Sequence, residues 1–266
     1  MEQEVRSEIY DDNFLNSLSF NVFNDEDDEG EMSSDHHRRS NFDFTNKSGE
    51  FLSLEICHYV SSSVDLVGLQ VWRGALLLSD YILDNQDYFK HKCTLELAAG
   101  TGIASIVSGL FADEVYITDV DRGQILDIIN MNVKNNKHLI KSKDLHVQEL
   151  DFFNHSSWNS DVSPDIILAA DMVYDPKITL AFFQTLRYLL VKSPATTVLF
   201  ALEKRNRTNE NSEVVAPNYQ IFMNYLVELL KDCPYLSLES IELSFSKYFL
   251  HYERISEMVL WKLSPM

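Results

Sequence analysis

Cys93-Thr-Leu-Glu-Leu-Ala-Ala-Gly-Thr-Gly102 is the stretch that decides the fold. Thr94–Leu97 has the pattern of a short apolar strand, and a turn of small residues follows. Ile103, Ile106, Val107 and Leu110 then recur at helical spacing, so a helix opens at about Gly102. Strand, glycine turn and helix together let a backbone approach a ligand closely, with amide N–H groups free at the helix start. A second strand pattern, Val115–Thr118, ends in Asp119. That acid lies about twenty residues past the turn, the distance at which a carboxylate reaches a ribose diol. A turn that only packs is the plain alternative. NAD is another candidate ligand, against which the turn lacks a full G-x-G-x-x-G; its two firm glycines are Gly100 and Gly102.

The pattern continues on both sides. Leu145–Leu150 reads as a third strand, finishing Glu149-Leu-Asp-Phe152. Pro164 introduces a fourth, Asp165–Ala170, whose near-continuous apolar run implies burial on both faces, as in a parallel sheet. It ends in Asp171-Met-Val-Tyr174-Asp-Pro176, and a helix from about Lys177 to Val191 follows. A fifth strand, Ala195–Leu202, ends in Glu203-Lys-Arg205 and leads to a helix over Tyr219–Lys231. Leu236–Leu243 and Glu257–Leu263 close the chain as strands with no helix between them. Upstream, residues 51–57 alternate as a strand that Tyr59–Val64 extends or pairs with. A helix then carries Leu76, Leu77, Tyr81, Ile82 and Leu83 on one side, with Trp72 at its start as core or as pocket wall. Repeated β-α units predict an α/β fold with a doubly wound, mostly parallel sheet, and the helix-free pair predicts an antiparallel last strand. Ligands in such sheets bind at the carboxyl ends of the strands. Ala98–Gly102, Asp119, Asp151–Phe152 and Asp171–Tyr174 all fall there.

The chain has 266 residues, 45% of them hydrophobic, enough for one large domain and a tail. The predicted division is an acidic, mostly disordered tail over 1–48 and a domain over 49–266. The net charge is −19: residues 1–50 hold 14 acids against 4 bases, and residues 51–266 hold 27 against 18. Such a balance disfavours non-specific binding to nucleic acid or anionic membrane and favours basic partners. The run Asp25–Glu31 repels itself; Phe14–Phe23 offer apolar groups that could dock on a partner, although a solvated tail is the preferred reading. His36-His-Arg-Arg39 is too short for a metal tract or a localisation patch. Cys57, Cys93 and Cys233 are far apart and apolar in surroundings, which suits buried thiols in a reducing compartment. The charged start is unlike a signal peptide, and no apolar run approaches a membrane span, so a cytosolic or nuclear protein is expected.

The glycine turn, the acid after the second strand and the strand order resemble the Rossmann-like, seven-stranded class I methyltransferases that use S-adenosyl-L-methionine. More narrowly, Val71-Trp72, Glu149-Leu-Asp-Phe152 and Ala170-Asp-Met-Val-Tyr174 resemble the family 16 protein methyltransferases, many of which modify lysine. Within that family a narrower likeness rests on Gln70–Leu78, Tyr81–Leu83 and Glu203–Arg205. The likeness covers roughly Leu69–Leu263. It implies that Trp72 flanks the methionine end of the cofactor, that Ala98, Ala99 and Gly100 form the turn under it, and that Glu96 and Gly102 on either side of that turn are cofactor-binding residues too. Asp119 would take the ribose hydroxyls, Phe152 would stack on the adenine, Asp151 would face its amino group and Ala170 would line the pocket. Asp171 and Tyr174 are the implied catalytic pair, facing the target nitrogen. Two positions depart from the family: Ala98 stands where glycine is usual, and Phe152 where tryptophan is usual. Alanine resists positive φ, and phenylalanine offers a smaller stacking face.

The resemblance implies a protein-lysine N-methyltransferase with a basic protein substrate, nuclear nucleic-acid-binding proteins among the candidates, acting as a monomer in nucleus or cytoplasm. A nucleic-acid substrate is disfavoured by the charge and by the lack of prolines in Asp171-Met-Val-Tyr174. A weakly active or inactive cofactor-binding scaffold, motivated by Ala98 and Phe152, and a methyltransferase of a non-protein substrate are the alternatives.

Overall fold

Strands that are apolar at nearly every position need a core on each side, and a computed structural model of the chain supplies both. The structure describes residues 4–10, 37–158, 161–208, 214–250 and 252–266. In chain order its strands are β1 Glu4–Arg6, β2 His37–Thr45, β3 Phe51–Tyr59, β4 Ser61–Ser63, β5 Cys93–Leu97, β6 Glu114–Asp119, β7 Asp144–Glu149, β8 Ile166–Ala170, β9 Thr197–Glu203, β10 Arg207–Thr208, β11 Val214–Val215, β12 Leu236–Ile241 and β13 Met258–Pro265. The helices are α1 Arg73–Asp84, α2 Gln86–Phe89, α3 Ile103–Ser108, α4 Ile125–Asn135, α5 Pro176–Lys192 and α6 Pro217–Asp232, with 3-10 turns at Val64–Leu69 and Phe152–Ser157.

Seven strands form the central sheet in the order β12-β13-β9-β8-β5-β6-β7. β9, β8, β5, β6 and β7 run parallel, and β13 inserts antiparallel to both of its neighbours, as the helix-free final pair predicts. Ile166 and Leu168 of β8 with Leu199 and Ala201 of β9 enter one core, shared with α1 and α3. Ile167, Ala169, Val198, Phe200 and Leu202 enter the other, under α5 and α6. The double-sided burial explains why those strands show no polar alternation. α5 starts sharply because Asp175 accepts from the N–H groups of Lys177 (2.7 Å) and Ile178 (3.1 Å), with Pro176 in the first turn.

Three expectations change. The strand over 51–57 is outside the sheet: β3 pairs antiparallel with β2 along nine residue pairs, while the 59–64 stretch turns away and β4 pairs with β1. The tail is correspondingly shorter than 1–48. Phe42 and Phe44 of β2 are fully buried, and Phe44 stacks on Phe249 at 4.9 Å, so apolar alternation in a polar context builds a strand there. The acidic run, Phe14–Phe23 and His36 lie outside the described residues. Finally, Val64–Asp84 is long and apolar enough to match a membrane span by composition. However, 67% of that window is buried inside the fold, and the chain is extended at Trp72 between the 3-10 turn and α1.

Two polar devices hold the periphery. Asn132 of α4 and Asn136, its C-cap one turn on, act as a partner strand for the outer edge of β3. Asn132 takes the Cys57 N–H (2.6 Å) and gives to the Cys57 carbonyl (3.0 Å); Asn136 does the same with Glu55 at 2.9 and 2.8 Å. The fully buried Asp80 of α1 accepts from the N–H groups of Tyr248 (2.8 Å) and Phe249 (2.9 Å), from the Tyr252 hydroxyl and from Arg254 (2.8 Å). This ties the 245–255 loop to α1.

Candidate functional site

The carboxyl ends of β5, β6, β8 and the turn after β7 open on one cleft of about 1020 Å³, counting its open mouth. Trp72, Ala98, Ala99, Gly100, Asp119, Asp151, Phe152, Ala170, Asp171 and Tyr174 all line it. Glu96 and Gly102 do not, which corrects the expectation for both. The strand alternation turns Glu96 away, and its buried carboxylate accepts from the N–H (2.9 Å) and hydroxyl of Ser105 in the first turn of α3. Burial pushes this carboxyl up to about 7, opposed by the Ser105 bonds. Gly102 is the N-cap of α3 at φ +76, facing Ile129 and Ile117.

The floor of the cleft is set by a close backbone approach. A Cβ on Gly100 would lie 2.7 Å from the Gly68 carbonyl oxygen, and Gly100 sits at φ +58, so no other residue fits. Gly68 belongs to the 3-10 turn Val64–Leu69, which lies across the glycine turn as a lid. Asp65 and Val67 of that turn also line the cleft. Ala98 adopts φ +53, the left-handed region that its side chain disfavours.

Asp119 anchors the same turn. Its Oδ2 accepts from Gly100 N–H at 2.8 Å and its Oδ1 from Val120 N–H at 2.7 Å. Burial raises its carboxyl to about 6, against the lowering effect of those two bonds. Each oxygen has one further lone pair, the right acceptor count for a vicinal diol. Phe152 is 9% exposed, packed edge-on against Phe182 at 5.5 Å. Asp151 caps the following 3-10 turn through the Phe153 N–H (2.9 Å), and Phe153, 67% exposed, forms part of the cleft wall.

Asp171 is more constrained than its motif suggests. It sits at φ +46, with Oδ2 accepting from Gly74 N–H at 2.6 Å and Oδ1 from Glu203 N–H at 2.8 Å. It therefore clamps the first turn of α1 to the end of β9, while Asp175, not Asp171, caps the helix that follows. Burial raises the Asp171 carboxyl, and Arg205 pulls it back down. Arg205 lies over the Trp72 ring at 4.5 Å, and the Trp72 indole N–H donates to the Val67 carbonyl at 2.8 Å. Arg73 and Glu203 approach at 3.4 Å. Tyr174, whose phenol burial drives up to about 12, stays protonated at neutral pH.

Sequence reasoning did not find Val67, Gly68, Arg122, Phe153 or Met172 as cleft residues. Of these only Gly68, three residues before Val71-Trp72, carries a readable signal. The cleft fits S-adenosyl-L-methionine in its chemistry: two carboxylate oxygens to accept from the ribose hydroxyls, an aromatic edge for the adenine, and a side-chain-free floor at Gly100 beneath the Gly68 turn.

A profile of the lysine methyltransferase family matches residues 53–214. Methyltransferase-like protein 22 of Mus musculus is 37% identical over 232 residues, covering 79% of this chain and 58% of that protein. Its Homo sapiens counterpart is 35% identical, covering 79% and 57%. Protein N-lysine methyltransferase METTL21A of Danio rerio is 33% identical over 144 residues, covering 54% and 64%. The chain thus spans a little over half the length of the two methyltransferase-like protein 22 relatives. The family match runs from β3 through β9 to β11, taking in every cleft residue named above, and the chain belongs to the lysine methyltransferase family.

Proposed function

We propose that the chain transfers a methyl group from S-adenosyl-L-methionine to a lysine side chain of a basic intracellular protein, in the nucleus or cytoplasm. The observation that carries this reading is the opening of Asp171 and Tyr174 onto the same cleft as Asp119 and Phe152. When bound, the cofactor supplies an electrophilic methyl on a sulfonium. The residues around it have to hold an amine about 3–3.5 Å from that methyl and let it arrive unprotonated. A free lysine has a pKa of roughly 10.4, so it reaches the cleft charged. Desolvation against Trp72, Ala75 and Met172 lowers that value, whereas a carboxylate raises it. The remaining lone pairs of Asp171 therefore serve to orient the amine, and the proton leaves to solvent as the amine is desolvated. Tyr174 presents a neutral hydroxyl and an aromatic face that attracts a cation. Asp119 fixes the ribose, and Phe152 with Phe153 covers the base.

The test is incubation with labelled cofactor and cell extract. Label on lysine of a protein, lost in a Tyr174 variant that still binds S-adenosylhomocysteine, supports the proposal. Label on RNA or a small molecule refutes the substrate class. Ala98 at φ +53 and the buried Phe152 favour a second reading, a cofactor-binding domain of little activity. Calorimetry with S-adenosylhomocysteine separates this from the first: tight binding without transfer to any acceptor supports it.

A further inference from the structure

Residues 4–10 lie far from the cleft in sequence and against its lid in space. β1 pairs with β4 immediately before the Val64–Leu69 turn. The Gln70 side chain, 2% exposed, accepts from Ser7 N–H at 2.7 Å and donates to the Val5 carbonyl (3.0 Å) and the Ser62 hydroxyl (2.8 Å). The Tyr10 ring is buried and stacks on His58, with centroids 5.0 Å apart and planes 7° apart, and its hydroxyl accepts from Val71 N–H at 2.8 Å. Glu8 reaches across to Arg205 at 2.8 Å, the same Arg205 that covers Trp72. From Val71 and Gln70 the chain runs directly to Trp72 and back to Gly68, which rests on Gly100 and faces Asp119.

We infer that Glu4–Tyr10 is a strap holding the Val64–Trp72 lid over the cofactor cleft, and that Tyr10 and Gln70 are positioning residues for cofactor binding. The inference rests on the methyltransferase reading of the cleft. Its physical basis is that the lid has little of its own to hold it: a short 3-10 turn has poor internal hydrogen bonds, so its shape depends on outside contacts. The strap provides those contacts at Ser62, Gln70 and Val71, while none of residues 4–10 lines the cleft. It touches no cofactor itself, so its effect passes through Gly68 and Trp72.

The experiment compares the full chain with a chain lacking residues 1–10 and with Tyr10→Phe. Tyr10→Phe keeps the ring and removes only the acceptor for Val71 N–H. Amide hydrogen exchange is read by mass spectrometry without cofactor, and affinity for S-adenosylhomocysteine by calorimetry. In both altered chains exchange should quicken within residues 61–72 while peptides from α5 and α6 stay unchanged. Affinity should fall by roughly tenfold in the shortened chain and about threefold in Tyr10→Phe. If the shortened chain does not fold, Tyr10→Phe decides alone. Unaltered affinity in altered chains, with or without faster exchange, overturns the strap and leaves the methyltransferase reading standing. A full chain that binds no S-adenosylhomocysteine overturns that reading and the strap with it.

Discussion

Asp171→Asn separates a structural role for this residue from a chemical one. The native carboxylate accepts two backbone N–H groups, one on each oxygen, from Gly74 and from Glu203. An amide of the same shape can accept at one oxygen only, so its NH2 must face one of the two donors. The change loses one charge-assisted bond, worth about 1.5–3 kcal/mol, and leaves a backbone N–H without its acceptor. Relief from burying a charge offsets part of that, because burial already raises the Asp171 carboxyl. A net loss of about 2 kcal/mol is expected, which for a domain of this size lowers Tm by roughly 4–8 °C. The loosened α1 start carries Trp72 with it, so S-adenosylhomocysteine affinity should fall as well. Thermal melting and calorimetry on the same preparations give both quantities. A Tm within about 1 °C of the parent, with unchanged cofactor affinity, would refute the clamp. Any loss of methyl transfer would then belong to the amine-orienting role alone.

Three further outcomes follow from the geometry. Ala98→Gly should be stabilising: a left-handed alanine costs roughly 1–2 kcal/mol, and the added freedom of glycine in the unfolded chain takes back about 0.5–1, leaving a Tm gain of about 1–4 °C by melting. Asp119 should make cofactor binding pH-dependent, because ribose hydroxyls donate to the ionised carboxylate, which burial holds near about 6. Calorimetric affinity for S-adenosylhomocysteine should be level above about pH 7 and fall toward tenfold per unit below about pH 6. In the unliganded chain the sign reverses, since a raised carboxyl stabilises the fold most at low pH and that contribution is lost as pH rises through about 6. Arg254→Ala leaves the Asp80 carboxylate buried without its cation and should cost about 3–5 kcal/mol by chemical denaturation, with the cofactor cleft unaffected if the chain still folds.

The parts of this protein that were legible in its sequence are those where a physical requirement acts on neighbouring residues. β8 and β9 showed as unbroken apolar runs because both faces are covered, and the glycine turn showed because only glycine tolerates the approach of Gly68 to Gly100. Strand ends carried the acids and aromatics because that is where a parallel sheet opens. What stayed hidden acts at long range. β2 lies beyond the acidic run, and its partner is a strand that reads equally well as the first of the central sheet. The strap lies sixty residues from Gln70, and nothing in Ser7-Glu-Ile-Tyr10 marks it as a partner of the lid. Glu96 was misassigned because a motif gives spacing but not facing: Glu96 lies within β5 and points under α3, whereas Ala98, past the end of the strand at φ +53, is turned out of that alternation and lines the cleft.

Asp171 shows the same limit from the other direction. Its place in an acid-x-x-Tyr motif suggests chemistry, and its position at a strand end agrees, yet both of its oxygens are already engaged in joining α1 to β9. The left-handed backbone at φ +46 is what turns the carboxylate back toward those two N–H groups, and a Cβ at Gly74 would come within 2.7 Å of it. Gly74, Asp171 and Glu203 therefore form one unit, drawn from three separated motifs that each look functional alone. The clamp fixes the wall against which an amine would be oriented, so holding the fold and holding the substrate are, at this residue, the same physical act performed with different lone pairs. Asp171→Glu tests that unity: one added methylene keeps the charge but moves the carboxylate off both N–H groups, so S-adenosylhomocysteine affinity should fall at least as far as in Asp171→Asn and methyl transfer by tenfold or more, whereas affinity held within about threefold would refute the single unit.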